Sequence, residues 1–122
     1  MYDITRTLQK KYNVKRVTLD EQITVLNSRT ETKDSSIVIN SNYDAIIIAK
    51  PTKPFSEKDK FIIDQYVMHG GKVLWLIDPV SATMDSLQTS ESTIGNALDL
   101  NLDDMFFKYG LRHNKNLLLD LN

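Results

Sequence analysis

Four polar side chains fall where an open α/β sheet would place chemistry. Lys50, Thr52 and Lys53 follow the apolar run Ala45–Ala49, and Asp78 follows the apolar run at 73–77. If those runs are parallel strands, their carboxyl ends form one rim, the place where such sheets bind ligands. Thr52 and Lys53 would suit an anion there, and Asp78 a cation. The plainer reading carries more weight: the lysines are solvated charge, and Asp78 makes a turn with Pro79. Position in a fold does not by itself carry function.

The remaining reactive residue types offer less. His69 and His113 are the only histidines, and neither has a partner at metal-ligand spacing. Asp99, Asp103 and Asp104 cluster, but D-L-N-L-D-D lacks the glycine and distal glutamate of a calcium loop, and acidic charge in the first turn of a helix explains it better. Gly70-Gly71 follows a predicted helix and precedes a strand, so it reads as a helix stop rather than a phosphate cradle. Trp75 lies mid-strand and reads as core, its indole N–H needing one partner. There is no G-x-S-x-G and no paired-carboxylate signature. No catalytic residue, metal ligand or cofactor site is assigned.

Composition narrows the classes further. The 122 residues allow one modest domain. Fifteen basic against sixteen acidic side chains give a net charge of −1, which argues against a nucleic-acid binder and against a polybasic membrane-surface domain. With no cysteine, disulfides, thiolate catalysis and cysteine-ligated zinc are excluded. No run is long and apolar enough to span a bilayer, and no signal peptide opens the chain. Both ends read as cuts within a larger protein, a helix opening the chain without the strand that should precede it.

The elements that must position the rim are legible around it. Ala45–Ala49 is short, β-branched and uninterrupted, as a strand buried on both faces would be. Pro51 and Pro54 end it, Ser56 caps a helix over 57–69, and Ile62, Ile63, Tyr66 and Val67 recur at helical spacing. A second buried strand follows at 73–77, and the two should be parallel neighbours. Before this unit the sequence predicts a helix at 3–12, with Ile4, Leu8 and Tyr12 as its stripe, and a strand at 14–19. Residues 20–42 read as a hairpin excursion with strands at Ile23–Leu26 and Ile37–Ile39, the alternative being an irregular loop in place of a crossover helix. After the unit come a long Ser/Thr-rich loop at 80–101, a helix at 102–109 capped by Asn101, and a strand at 117–121.

The phrases IIIAKPTKPFSEKDKFIIDQYVMHGGKVLWLIDPV, YDITRTLQKKYNVKRVTL and DLNLDDMFFKYGLRHNKNLLLDL resemble the auxiliary, or substrate-binding, component of an ABC transporter associated with gliding motility in Bacteroidetes, the GldG type. The resemblance covers nearly the whole chain apart from 20–42. It implies a region on the periplasmic face of the inner membrane, tethered by anchors absent from this sequence and working beside a permease and an ATPase subunit. It implies a flavodoxin-like or glutamine-amidotransferase-like sheet and offers no catalytic residue to carry over. The matching positions Lys50 to Phe55, with Asp78 and Pro79, and after them Asp85, Ser86 and Leu87, are the surface such a family would use.

The sequence thus predicts a truncated three-layer α/β domain with a mainly parallel sheet, acting without catalysis through protein contacts at Lys50, Thr52, Lys53, Phe55, Asp78, Asp85 and Leu87. A solute-binding crevice beside Thr52 and Asp78 is the alternative. An unpaired sheet edge would also allow a homodimer.

Overall fold

The parallel strand–helix–strand unit around residues 45–77 forms where the sequence places it. The structure, a computed structural model, describes residues 2–81 and 96–115. In order these are α1 (Tyr2–Leu8), β1 (Asn27–Glu31), β2 (Ile37–Ser41), β3 (Ala45–Ala49), α2 (Glu57–Met68), β4 (Lys72–Leu76), β5 (Val80–Ser81), β6 (Asn96–Ala97) and α3 (Asp103–Lys108). β3 and β4 pair in parallel with Ala45 opposite Lys72 and Ala49 opposite Leu76. The second strand therefore runs one residue earlier than its apolar stretch. Ile77 lies beyond the ladder, because β3 has already ended at Ala49.

Both ends of α2 follow from local chemistry. The Ser56 hydroxyl accepts from the Asp59 N–H at 3.1 Å. At the other end the Gly71 N–H donates to the Tyr66 carbonyl and the Gly70 N–H to the Val67 carbonyl. This is a Schellman turn, with Gly70 at φ +88°. Ile62, Ile63 and Tyr66 are fully buried and form the centre of the core with Leu26, Leu100, Leu102, Met105 and Phe106. Burying each such side chain contributes about 1.5–3 kcal/mol. The Tyr66 hydroxyl donates to the Tyr43 carbonyl at 2.9 Å, and burial pushes that phenol's pKa up.

α3 lies on the same face as α2, since Phe106 meets Trp75 edge-to-face at 5.1 Å. Two polar contacts join the helices. The Lys60 ammonium, its side chain 6 % exposed, sits 2.9 Å from both Asp104 and Glu57. The Tyr109 hydroxyl donates to Asp64 at 2.6 Å. Because the pairs 60–104 and 64–109 advance together, the helices run in the same direction. A second Schellman turn at Gly110 ends α3.

Several expectations are corrected. The strands are not buried on both faces: Ile47, Leu74 and Leu76 are about half exposed on the side away from α2. The described residues form three separate two-stranded ladders, β1–β2 and β5–β6 antiparallel and β3–β4 parallel, rather than one mainly parallel sheet. No strand forms at 14–19. Alternating side chains give a strand only where a neighbour offers a free edge, and the described ladder partner of β3 is β4. α1 stops at Leu8, and a turn carries the chain to Tyr12, leaving Ile4 and Tyr12 exposed.

The hairpin is present, but its first strand is the polar run Asn27–Glu31 rather than the apolar stretch at 23–26. Asp20 and Glu21 adopt positive φ, the chain turns, and Leu26 is driven into the core instead. Asn42 holds this arrangement by donating to the carbonyls of Thr24 and Val25. Asn101 does not cap α3. It stands at φ +56° and Leu102 takes the N-cap position without a side-chain bond. The predicted strand at 117–121 lies outside the described residues.

Two stability predictions follow from these contacts. A Cβ at Gly71 would fall inside the buried Tyr66 ring, which its held hydroxyl keeps from moving aside. Gly71→Ala should therefore cost about 1–3 kcal/mol in urea unfolding. It should cost clearly less in a Tyr66→Leu background; equal costs in both would place the penalty elsewhere.

The second concerns Lys60, which holds the carboxyls of Glu57 and Asp104 below their usual range. Burial alone would lower the pKa of Lys60, but the two carboxylates outweigh it and the net shift is upward. Depressed carboxyl values contribute stability above about pH 4, lost as pH falls through the folded-state values. The raised lysine contributes stability below about pH 10.5, lost only above that. Lys60→Met should be near neutral at pH 7, because it removes a buried charge while keeping the packed alkyl chain. It should also flatten the acid limb of the stability curve, and an unchanged acid limb would show that the cluster contributes nothing.

Candidate functional site

At the carboxyl end of β3 the backbone turns sharply. The Lys50 N–H donates to the Leu76 carbonyl at 2.8 Å, closing the parallel ladder, and Lys50 takes φ +46°. A left-handed lysine is uncommon, because its Cβ crowds the following carbonyl. The turn is what lifts residues 51–54 off the sheet. The Lys50 ammonium comes within 3.9 Å of Asp78 at the end of β4, with the two side chains 76 % and 51 % exposed. An ion pair that open is worth at most about 1 kcal/mol, so it orients the rim more than it stabilises it.

The far end of the loop is anchored more firmly. The Phe55 N–H donates to the Leu100 carbonyl at 3.0 Å, and its ring meets Trp75 edge-to-face at 6.2 Å. Asn101 clamps the same spot, its side-chain amide donating to the Phe55 carbonyl and to Glu57, both at 3.0 Å. Thr52 and Lys53 thus stand exposed between a fixed start and a fixed end. The structure brings together Lys50 and Asp78 directly, and Phe55 through Trp75 of the neighbouring strand. Thr52 and Lys53 belong to the same loop without converging on a shared centre. Asp85 and Leu87 lie outside the described residues.

Asn101 and Lys60 are the residues that reading the sequence missed. Asn101 looks like a helix cap because asparagine before an acidic turn usually is one. Lys60 carries a usable signal, since it sits on the 60, 63, 67 stripe of α2 and so had to face the core or a partner charge. The segment leaving β4 is also tied down at its base. Val80 and Ser81 pair with Ala97 and Asn96, and the Leu98 N–H donates to the Pro79 carbonyl.

The other candidate residues have structural duties. His69 Nδ1 lies 2.7 Å from the Gln65 carbonyl at the end of α2. His113 stacks edge-on against Phe106. Of the three clustered acids, Asp99 accepts from the Asn101 N–H, Asp103 pairs with Lys115 at 3.6 Å, and Asp104 holds Lys60. Among the described residues no three His, Asp or Glu side chains gather as a metal ion would require. A concavity of about 540 Å³ is lined by Asp3, Thr5, Arg6, Gln9 and Arg16, and takes no residue from the rim.

Neither the curated proteins nor the solved structures hold a match to this sequence. A family model does: the model described as "ABC-type uncharacterized transport system", for ABC transporter auxiliary components, matches residues 1–122, the whole chain. That match extends over the hairpin at 20–42, where the phrases quoted above give no alignment. It makes the chain part of a transport system that works in association with other subunits. The chain belongs to the ABC transporter auxiliary-component family.

Proposed function

We propose that the chain is a non-enzymatic, extracytoplasmic component of an ABC transport assembly linked to gliding motility. It acts by protein contact, reaching the permease and through it the ATPase subunit. The contact face is the rim at the carboxyl ends of β3 and β4. The observation that carries this reading is the presentation of Thr52 and Lys53. They are fully displayed on a loop whose two ends are fixed by Leu76, Leu100 and Asn101. Small-molecule sites are concave and bury most of their ligand. A projecting, pre-ordered loop with an exposed lysine suits a partner protein, because little entropy remains to be lost on docking.

The link to gliding motility is supported by the phrases IIIAKPTKPFSEKDKFIIDQY and DLNLDDMFFKYG, which join the rim to α2 and α3. A three-layer, flavodoxin-like arrangement belongs to the same proposal. The parallel β3–α2–β4 unit supports it, as does α3 running alongside α2 on the same face. In that arrangement a helical layer also covers the half-exposed side carrying Ile47, Leu74 and Leu76, since parallel sheets are covered on both faces.

The test is co-purification with the membrane subunits. Lys53→Glu should reduce recovery severalfold while leaving the melting temperature unchanged, because the side chain is exposed. Equal recovery of wild type and variant removes the rim as a contact face. A thermal-shift screen of sugars, nucleotides, peptides and metal ions separates the solute-binding alternative. A compound that raises the melting temperature of wild type but not of Thr52→Ala would replace the contact reading.

A further inference from the structure

We propose a second docking surface, independent of the rim, at the C-terminal end of α3, and assign it to an anionic lipid surface. Phe107 is 79 % exposed, the highest value among the large apolar side chains of the described residues, and Leu111, four residues on, is 59 % exposed. The adjacent Met105 and Phe106 fill the core, so Phe107, next along the helix, is turned out of it. The Gly110 turn keeps Leu111 at the helix end, its N–H donating to the Phe106 carbonyl at 2.8 Å.

The charge on the C-terminal side of this pair is basic, and the two acids one turn before Phe107, Asp103 and Asp104, are held by Lys115 and Lys60. Residues 105–115 contain Lys108, Arg112 and Lys115 and no acidic side chain. Lys115 leans back to Asp103, whereas Lys108 and Arg112 are exposed and make no ion pair among the described residues. The net charge of −1 for the whole chain does not oppose this, because exposed charges are screened within about 8 Å at physiological salt and a surface reads its nearest neighbours.

An exposed ring and an aliphatic chain flanked by long basic side chains match the layering of a membrane interface. The apolar groups enter the acyl boundary while the lysine and arginine heads remain at the phosphates. An acidic protein surface would meet the same charges. Yet two projecting side chains, one on a six-residue helix and one just past it, offer no groove, and they fall far short of the roughly 800 Å² that a stable protein interface buries per partner. A bilayer demands neither shape complementarity nor that area. Each basic residue near an anionic leaflet strengthens partitioning about fivefold.

The test is sedimentation of the chain with phosphatidylcholine vesicles, with and without phosphatidylglycerol. Binding is expected on the mixed vesicles, with release as salt is raised. Lys108→Glu should lower the partition coefficient roughly thirtyfold, from the loss of one attraction and the gain of one repulsion. Phe107→Ser should lower it at unchanged melting temperature, the check that both variants remain folded. Absence of binding to the mixed vesicles, equal binding to both vesicle types, or variants that bind like wild type would each overturn the proposal. So would binding confined to neutral-lipid discs carrying the permease, which would assign the patch to a protein.

Discussion

The ring of Tyr66 is buried where α2 crosses the β3–β4 pair, and its hydroxyl is held by the carbonyl of Tyr43, the residue that leads into β3. The Schellman turn that ends α2 then passes so close to the same ring that only glycine fits at position 71. One side chain therefore sets the height of the helix over the sheet, the entry of β3 and the return of the chain into β4. A parallel pair cannot be closed by a short hairpin; its connection must run over a face and come back. Here the return is fixed by a ring that neither rotates freely nor gives way. With it comes the parallel register, and with the register the side-by-side placement of Lys50 and Asp78.

What orients that unit on the rest of the chain is a set of charges and hydrogen bonds laid over the shared apolar core. The turn at Asp20 and Glu21 docks on the first turn of α2, with the Glu21 N–H donating to Asp59 and its carboxylate 3.1 Å from Lys58. α3 is tied by Lys60 and by Tyr109, and the start of α2 by Asn101. A buried ammonium is costly unless it is fully paired, and Lys60 meets that condition by taking three carboxylate oxygens. Such contacts select one arrangement among several of similar apolar burial. They place Leu102, Met105 and Phe106 against Ile62 and Ile63, and so seat Trp75 between Phe55 and Phe106.

Which parts were legible follows from what each residue had to satisfy locally. Ser56, Gly70 and the stripe Ile62, Ile63, Tyr66 carry their structural reasons within one or two helical turns, so α2 could be placed almost to the residue. Ala45–Ala49 could be read because a β-branched run bounded by proline has few alternatives. The strand Asn27–Glu31 could not, because its register comes from pairing with Ile37–Ser41 and not from its own polar side chains. Residues 14–19 alternate as a strand would, yet pairing requires an edge that local pattern does not encode. Asn101 deceived for a related reason: its amide serves a carbonyl 46 residues away rather than the helix that follows it. At the rim, the shared edge of Lys50 and Asp78 was implied by the parallel reading, though not their ion pair, and the clamp behind Phe55 was not visible in any short window.

The distribution of polar partners bears on what kind of molecule this is. Around α2 the acids Glu21, Asp64 and Asp104 each hold a basic or hydroxyl group from another part of the chain, Glu57 holds Lys60 of its own helix and the distant Asn101 amide, and Asp59 accepts a backbone N–H. General acid–base chemistry needs such groups poised toward a substrate, with pKa values drawn toward neutrality. Here the shifted carboxyls Glu21, Glu57 and Asp104 move away from neutrality, because each is stabilised in its charged form by a lysine. The phenol of Tyr109 moves away as well, driven up by burial and then by Asp64. These shifts belong to groups that hold segments together. Lys53 at the rim, Lys108 in the last turn of α3 and Arg112 beyond it have no ion pair among the described residues. Among the described residues, the charges around α2 are thus committed to the chain's own architecture, whereas Lys53, Lys108 and Arg112 stand exposed at the rim and at the end of α3. That division suits an auxiliary component of a transport system, which works in association with other subunits.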